Sequence, residues 1–317
     1  MGRWQWNGEI MSTYEVIRAS QLTKKYGGVC ALDHVNITVK QGEIYGLVGN
    51  NGAGKTTFLK MITGQCLPTS GELSILSKTE ESEKNKARKR TGSIVETPSF
   101  YPKLTVQKNM EYYRIQRGIP GKDLVDNILK QVGLLDAKKK KFEALSLGMK
   151  QRLGLALALM GEPEFLILDE PINGLDPTGI IEIRNLLLKL NREKNITILI
   201  SSHLLSELSN IATTYGFLDK GILIEQITAE KLSEKCNTYL DISVTDCKKY
   251  CALLETKLSC DNYKVMPENH IRIFDINKKM EEYSALAVLN GIGLLSMEEK
   301  RIDLENYYMN LIESVKY

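Results

Sequence analysis

One stretch of the sequence has the composition of an anion-binding loop, Gly49-Asn50-Asn51-Gly52-Ala53-Gly54-Lys55-Thr56. Its glycines let the backbone curl so that successive N–H groups point at phosphate oxygens, and the N-terminus of a following helix adds partial positive charge. In the Walker A pattern that it matches, the lysine reaches the β- and γ-phosphates and the next hydroxyl holds Mg²⁺. The predicted phosphate-binding residues are Gly49, Asn50, Asn51, Gly52, Ala53, Gly54, Lys55, Thr56 and Thr57.

A second candidate site is an apolar segment that ends in two carboxylates, Phe165-Leu166-Ile167-Leu168-Asp169-Glu170. Open α/β sheets bind their ligands at the carboxyl ends of strands. We predict that Asp169 holds Mg²⁺, directly or through water, and that Glu170 polarises the attacking water as general base. An acidic pair at a strand end is by itself often a turn, so the phosphate loop upstream is what favours this Walker B interpretation.

The elements that must position these residues follow from the hydrophobic pattern. Short apolar runs at 44–48, 165–168 and 196–200 predict buried parallel strands, separated by segments with helical periodicity. The phosphate loop lies between the first of these strands and a helix that is expected to begin near Thr57. Residues 214–226 alternate about Asp219-Lys220-Gly221, which predicts a hairpin. The pattern favours an α/β domain with the phosphate site at the edge of its sheet.

From about residue 231 the composition changes, because the glycine-rich motifs stop. Strand-like and helical pieces alternate in an order of strand, helix, strand, strand and helix, which is compatible with a ferredoxin-like unit. The strands are expected at 238–244 and 270–274, and the helices at 248–258, 278–289 and 303–312. We therefore predict a small C-terminal α+β domain.

Charge and composition argue against several classes of function, although they leave a local basic face open. The formal net charge is +3, from 42 basic and 39 acidic residues, so no overall positive field favours a nucleic-acid partner. The six cysteines lack the paired close spacing of zinc or redox sites, and only three histidines occur. We expect reduced, structural thiols and no nucleic acid.

No segment of the sequence has the pattern of a membrane span or a signal peptide. Residues 1–13 have no apolar core and are interpreted as an N-terminal extension. No later apolar run reaches the length of about 18 residues needed to cross a bilayer. If the protein takes part in transport, another chain must form the path.

A third motif, Leu145-Ser146-Leu147-Gly148-Met149-Lys150-Gln151-Arg152, precedes the acidic strand and resembles the signature sequence of ATP-binding cassette (ABC) transporter subunits. The resemblance implies that Ser146 and Gly148 open a helix whose N-terminus contacts the γ-phosphate held by a second cassette. The usual signature has glycine and glutamine where this chain has Leu147 and Met149. Its form is similar to cassettes of bacitracin export and lantibiotic immunity, as is the C-terminal Asp303-Leu304-Glu305-Asn306-Tyr307.

The same resemblance assigns roles to isolated residues. It implies that Tyr26 stacks on adenine, that Asp176 of Asn173-Gly174-Leu175-Asp176-Pro177 contacts the second cassette across the dimer, and that His203 touches the γ-phosphate. Glu96 stands where the family normally has glutamine. A carboxylate accepts but cannot donate a hydrogen bond, and it adds negative charge beside Mg²⁺. We therefore predict that Glu96 is a metal-binding and metal-sensing coupling residue, which either binds Mg²⁺ more firmly or keeps the site inactive until a permease moves; the alternative is that glutamate replaces glutamine with little consequence.

The resemblance implies an ATP-hydrolysing subunit that powers export of, or immunity to, a peptide antibiotic such as bacitracin or a lantibiotic. Its partners would be a separate membrane permease and a second cassette, which is either identical or different. The subunit would be a cytoplasmic protein, bound peripherally at the inner face of the cell membrane. Expected domains are an ABC ATPase at 14–230, with an antiparallel β subdomain and a helical subdomain at about 97–152, and an accessory domain at 231–317.

Other functions stay open from the sequence. An unrelated cargo, or a non-transport cassette that acts on the ribosome or in DNA repair, would use the same motor, although one Walker A motif and the absence of sustained heptads argue against the latter. A binding-only regulatory cassette is disfavoured because Lys55, Asp169, Glu170 and His203 are all present. Small-molecule kinases share the phosphate loop but not Ser146-Leu147-Gly148.

Overall fold

The computed structural model describes residues 14–96, 99–121, 123–236, 238–274, 276, 278–301 and 304–314. The predicted extension at 1–13, the Thr97 that opens the predicted helical subdomain, and Asp303 lie outside the described residues. The chain divides into two compact units, Met1–Ala229 and Glu230–Lys316. In the described ranges no helix combines the length and the apolar character needed to cross a membrane.

The first unit contains the phosphate loop and two sheets of described strands. Its strands are β1 (Glu15–Tyr26), β2 (Val29–Lys40), β3 (Ile44–Val48), β4 (Ser70–Ile75), β5 (Thr91–Ile94), β6 (Phe165–Asp169), β7 (Thr197–Ser202), β8 (Thr214–Asp219) and β9 (Ile222–Thr228). Strands β2, β1 and β4 form an antiparallel sheet in that order. The larger sheet has the order β5-β6-β7-β3-β8-β9. It is parallel except for β9, which forms the predicted antiparallel hairpin with β8.

The larger sheet brings the predicted motifs to one edge. Strand β3 lies between β7 and β8, and β6 lies on the other side of β7. Val48 pairs with Ser202, and Asp169 pairs with Ser201, so the carboxyl ends of β3, β6 and β7 are level. Because these strands are parallel and buried on both faces, each reads as a continuous apolar run, which explains why the sequence pattern locates them.

Eight described helices accompany these strands, and several of them pack on the larger sheet. They are α1 (Lys55–Thr63), α2 (Glu81–Arg88), α3 (Val106–Gln116), α4 (Leu124–Gln131), α5 (Leu147–Leu159), α6 (Pro177–Lys194), α7 (Leu205–Leu208) and α8 (Ala229–Lys235), the last spanning the boundary of the two units. Helices α3, α4 and α5 contact one another, and α5 also packs on β5. Helix α5 extends to Leu159, beyond the predicted end of the helical subdomain, because its C-terminal half is almost fully buried.

The second unit contains an antiparallel sheet of four described strands. Its elements are β10 (Thr238–Val244), α9 (Cys247–Leu258), β11 (Tyr263–Met266), β12 (His270–Ile273), α10 (Met280–Leu289), β13 (Leu294–Arg301) and α11 (Leu304–Ser314). The described strands have the order β11-β12-β10-β13, and α9 and α10 pack beside each other on this sheet. This is a ferredoxin-like arrangement, and β13 adds a strand to the predicted pattern. Its core includes Ile242, Tyr250 and Tyr283, and the Tyr250 hydroxyl donates a hydrogen bond to the Tyr283 carbonyl at 2.9 Å.

Candidate nucleotide site

The loop between β3 and α1 is shaped by glycine. A Cβ atom at Gly49 would lie 2.4 Å from the carbonyl oxygen of Leu218, and Gly54 has a φ of 107°, in the region that favours glycine. Gly54 is the N-cap of α1, so the helix begins at Lys55, two residues earlier than expected. Among the described residues, no side chain caps this N-terminus. Its first-turn N–H groups, including those of Thr56 and Thr57, are therefore suited to an anion.

The Lys55 ammonium group lies at the mouth of this loop. It donates hydrogen bonds to the carbonyls of Gly49 at 2.6 Å and Asn50 at 3.3 Å. It also forms an ion pair with Glu170, with 3.2 Å between Nζ and Oε1. Because the residue is only 6% exposed, its charge acts in a weakly screened environment. Of the remaining predicted loop residues, Ala53 is buried, and Asn51 and Gly52 are exposed.

Asp169 links three elements at the sheet edge. Its Oδ2 accepts a hydrogen bond from the Thr56 hydroxyl at 2.8 Å, and its Oδ1 accepts one from Ser201 at 2.6 Å. Two of the three predicted metal-binding side chains, Thr56 and Asp169, are thus in contact. Ser201 was not assigned a role from the sequence. The sequence feature that could have identified Ser201 is its position two residues before His203, near the end of β7, the strand that pairs with β6.

Glu170 is fixed from several directions. Its backbone N–H donates to the Ser201 hydroxyl at 3.0 Å, and its φ of 47° is in the left-handed region. Oε2 lies 2.8 Å from Nδ1 of His203, which therefore carries the proton of that hydrogen bond. In the described part of the chain, the buried Oε1 receives no hydrogen bond, since Lys55 lies at ion-pair distance without hydrogen-bond geometry. An acceptor with an open lone pair is what a general base needs.

Glu96 occupies a position equivalent to Glu170 on the neighbouring strand. Ile94 pairs with Leu168 in parallel register, and each carboxylate follows two residues later. Glu96 also has a positive φ, 68°. Its Oε1 accepts a hydrogen bond from Lys60 Nζ at 2.5 Å. Glu96, Asp169 and Glu170 line one cleft of about 320 Å³, together with Ile94, Phe100, Phe142, Leu147, Lys150, Gln151 and Asn173.

Two exposed helix N-termini form a second surface. Ser146 is the N-cap of α5 and accepts a hydrogen bond from the Met149 N–H at 3.3 Å, while Asp176 caps α6 and accepts from the Gly179 N–H at 3.1 Å. A Cβ on Gly148 would meet nothing nearer than Leu175, at 3.8 Å, so this backbone is open to close approach. Leu147, one of the departures from the usual signature, is 48% exposed. The departures therefore leave the capping geometry intact.

Tyr26 lies at the end of β1, where the β1–β2 turn begins. Its ring is half exposed, and Lys24 Nζ lies 4.8 Å from the ring centre. An exposed aromatic ring of this kind can stack on a planar base.

The residues present fit a bound Mg²⁺. In the described ranges, no group of three or more His, Cys, Asp or Glu side chains could form an all-protein metal cage. Mg²⁺ rarely uses one, because it is typically bound by one or two protein oxygens together with substrate phosphates and water. The hydroxyl and carboxylate of Thr56 and Asp169 are hard donors of that kind, beside an N-terminus that is open to phosphate.

A glycine-rich loop between a central parallel strand and a helix, with an acidic pair on a nearby strand end, defines a P-loop nucleotide-binding cassette. A model of the ABC transporter family matches residues 32–173. The chain is 42% identical over 302 residues to the bacitracin transport ATP-binding protein BcrA of Bacillus licheniformis, which covers 95% of this chain and 98% of that protein. The chain therefore belongs to the ABC transporter family, as an ATP-binding subunit.

Two further similarities extend the comparison. The lantibiotic transport ATP-binding protein SrtF of Streptococcus pyogenes is 40% identical over 228 residues, which cover 71% of this chain and 97% of that protein. The ATP-binding cassette MJ0796, solved as a dimer bound to ADP and Pi in a post-hydrolysis state, has a TM-score of 0.60 and 28% identity. That match covers 67% of this chain and 98% of the solved chain.

Proposed function

We propose that this protein is the ATP-hydrolysing motor that powers export of, or immunity to, a peptide antibiotic such as bacitracin or a lantibiotic. The similarity to BcrA over almost the full length of both chains supports this cargo. The observation that carries the motor function is the geometry of Glu170: one carboxylate oxygen lies 2.8 Å from His203 Nδ1, and the other, beside the Lys55 ammonium, receives no hydrogen bond from the described residues.

Hydrolysis is proposed to proceed mainly through positioning and charge. Lys55 and the first-turn N–H groups of α1 bind the phosphates, and Tyr26 stacks on the adenine. Glu170 Oε1 accepts the proton of the attacking water, while His203 fixes Oε2 and contacts the γ-phosphate. Thr56 and Asp169 would hold Mg²⁺, which neutralises charge on the phosphate oxygens.

The cassette is proposed to work as a dimer under a membrane permease. The dimeric state of MJ0796 and the exposed N-termini of α5 and α6 support a second cassette that receives Ser146, Gly148 and Asp176. An identical chain or a related one would fit. A separate permease is proposed to supply the path, with the cassette bound at its cytoplasmic side; the transport ATP-binding proteins BcrA and SrtF, to which the chain is similar, support this arrangement.

The test compares wild type with Glu170→Gln, and with Glu193→Gln as a matched control on the exposed part of α6. ATP turnover without any acceptor substrate is expected in wild type and control and is lost in Glu170→Gln, which should accumulate as an ATP-bound dimer in size-exclusion chromatography. In the source organism, deletion and Glu170→Gln should both sensitise cells to bacitracin or lantibiotics. ATP turnover by Glu170→Gln at the wild-type rate would contradict the role of Glu170 as general base. Unchanged susceptibility of the cells to bacitracin and lantibiotics would contradict the proposed cargo.

A further inference from the structure

Lys60 lies beside the nucleotide site without a role in the mechanism above. It follows Thr56 by four residues on α1, so the two side chains share one helix face. Its side chain is 30% exposed, and its ammonium donates a hydrogen bond to the Glu96 carboxylate at 2.5 Å. That hydrogen bond raises the pKa of Lys60, burial acts in the opposite direction, and the charges of Glu96 and Asp169 add to the increase. Lys60 is therefore within the electrostatic field of both carboxylates.

Glu96 has few restraints apart from this ion pair. Its side chain is 64% exposed. In the part of the chain that the structure describes, Lys60 is the one side chain hydrogen-bonded to its carboxylate. Its φ of 68° is in a backbone region that non-glycine residues rarely adopt and that is enriched at functional sites. The carboxylate can change partners at small structural cost.

We propose that Lys60 is a positioning residue that competes with a divalent cation for the Glu96 carboxylate. The ion pair keeps Glu96 on Lys60 while the Thr56–Asp169 pair is without metal charge. A cation at Thr56 and Asp169 repels the Lys60 ammonium and attracts the Glu96 carboxylate. Glu96 therefore leaves its ion pair with Lys60 and interacts with the cation instead. This inference rests on the proposed function, because it assumes that the site binds a metal–nucleotide complex.

The charge of Glu96 is essential to this exchange. Glutamine at this position would accept a weaker hydrogen bond from the Lys60 ammonium, because its carbonyl oxygen carries no formal charge, and it would offer the metal a neutral ligand. The glutamate that replaces the usual glutamine therefore allows both competing interactions, the ion pair with Lys60 and the charged contact with a cation. It also predicts that Lys60 influences metal binding through Glu96 and loses that influence when Glu96 is neutral.

The test measures Mn²⁺ binding to the full chain in the presence of ADP, by electron paramagnetic resonance of the free ion. This readout requires neither hydrolysis nor transport. Lys60→Met is expected to tighten Mn²⁺ binding roughly three- to tenfold, since it removes a positive charge and a competitor. Lys60→Arg should stay close to wild type. Lys189→Met, on the exposed side of α6, controls for the general loss of a positive charge.

The decisive comparison is made in the Glu96→Gln variant, in which the side chain at position 96 carries no charge. Lys60→Met added to Glu96→Gln should leave Mn²⁺ binding close to that of Glu96→Gln alone. An equal tightening in both backgrounds, or none in the wild-type background, overturns the proposal while the nucleotide site stands. Failure of wild type to bind Mn²⁺ with ADP at all overturns the proposed function as well, so the two failures are distinguishable.

Discussion

Ser201 offers the sharpest test of how the site is assembled. Its hydroxyl is fully buried, donates to the Asp169 carboxylate at 2.6 Å and accepts from the Glu170 N–H at 3.0 Å. Ser201→Ala removes both contacts without adding volume. We expect the variant to fold and to bind nucleotide, and to hydrolyse ATP slowly, because the metal-binding carboxylate and the general base both lose a restraint.

The magnitude follows from the two contacts. A hydrogen bond to a charged group contributes about 1.5–3 kcal/mol, and a buried donor without an acceptor costs about 1–3 kcal/mol. If the Asp169 contact is fully needed to hold the reactive geometry, kcat falls roughly 10- to 100-fold, since about 1.4 kcal/mol corresponds to tenfold.

The neighbouring serine is a matched control. Ser202 is equally buried, but its hydroxyl donates to Glu207 at 2.7 Å and accepts from the Leu204 N–H at 3.0 Å, away from the acidic pair. Ser201→Ala and Ser202→Ala should each lower the midpoint of thermal unfolding by a few degrees. The assays are steady-state ATP turnover and thermal unfolding. The reasoning is refuted if Ser201→Ala keeps kcat within about twofold of Ser202→Ala.

Two further predictions concern the loop and the second unit. Gly49→Ala places a Cβ 2.4 Å from a backbone carbonyl oxygen and should lower the free energy of unfolding by about 1–3 kcal/mol. Gly161→Ala, whose Cβ would lie 4.0 Å from its nearest neighbour, should leave it unchanged. Thermal unfolding and nucleotide binding are measured for both variants. Burial raises the pKa of Asp241, but hydrogen bonds from His270 and Lys300 outweigh it and hold the pKa below its usual range. That contribution to stability is present at neutral pH and is lost as the pH falls below about 4, so acid unfolding of Asp241→Asn should depend less on pH in this range.

The sequence predicted the parts of the site that depend on local pattern. Strand β3 has the predicted bounds, and β6 differs by one residue, because both are buried runs between polar segments. The contact between Thr56 and Asp169 is compatible with the expectation that the ends of β3 and β6 and the start of α1 lie at one edge of the sheet. These features required only periodicity and the rule that sites lie at strand ends.

Other features depend on contacts that sequence spacing does not reveal. Strand β13 is rich in charged residues and reads poorly as a strand, but it pairs along β10 through its backbone at the edge of the sheet. Lys60 is separated from Glu96 by two strands and a helix along the chain, so no local motif predicts their ion pair. Residues of this kind are identified from three-dimensional geometry.

The register of β5 and β6 gives the site two carboxylates with different freedom. Glu96 and Glu170 follow paired residues by the same interval and share a positive φ, so the sheet presents them as neighbours at one edge. Ser201 and His203 hold Glu170 by its backbone and its carboxylate, whereas Lys60 holds Glu96 by a partly exposed ion pair. A base that must meet a water in one geometry benefits from the first arrangement. A residue that must respond to a bound metal needs the second, because a group held in one position cannot report a change.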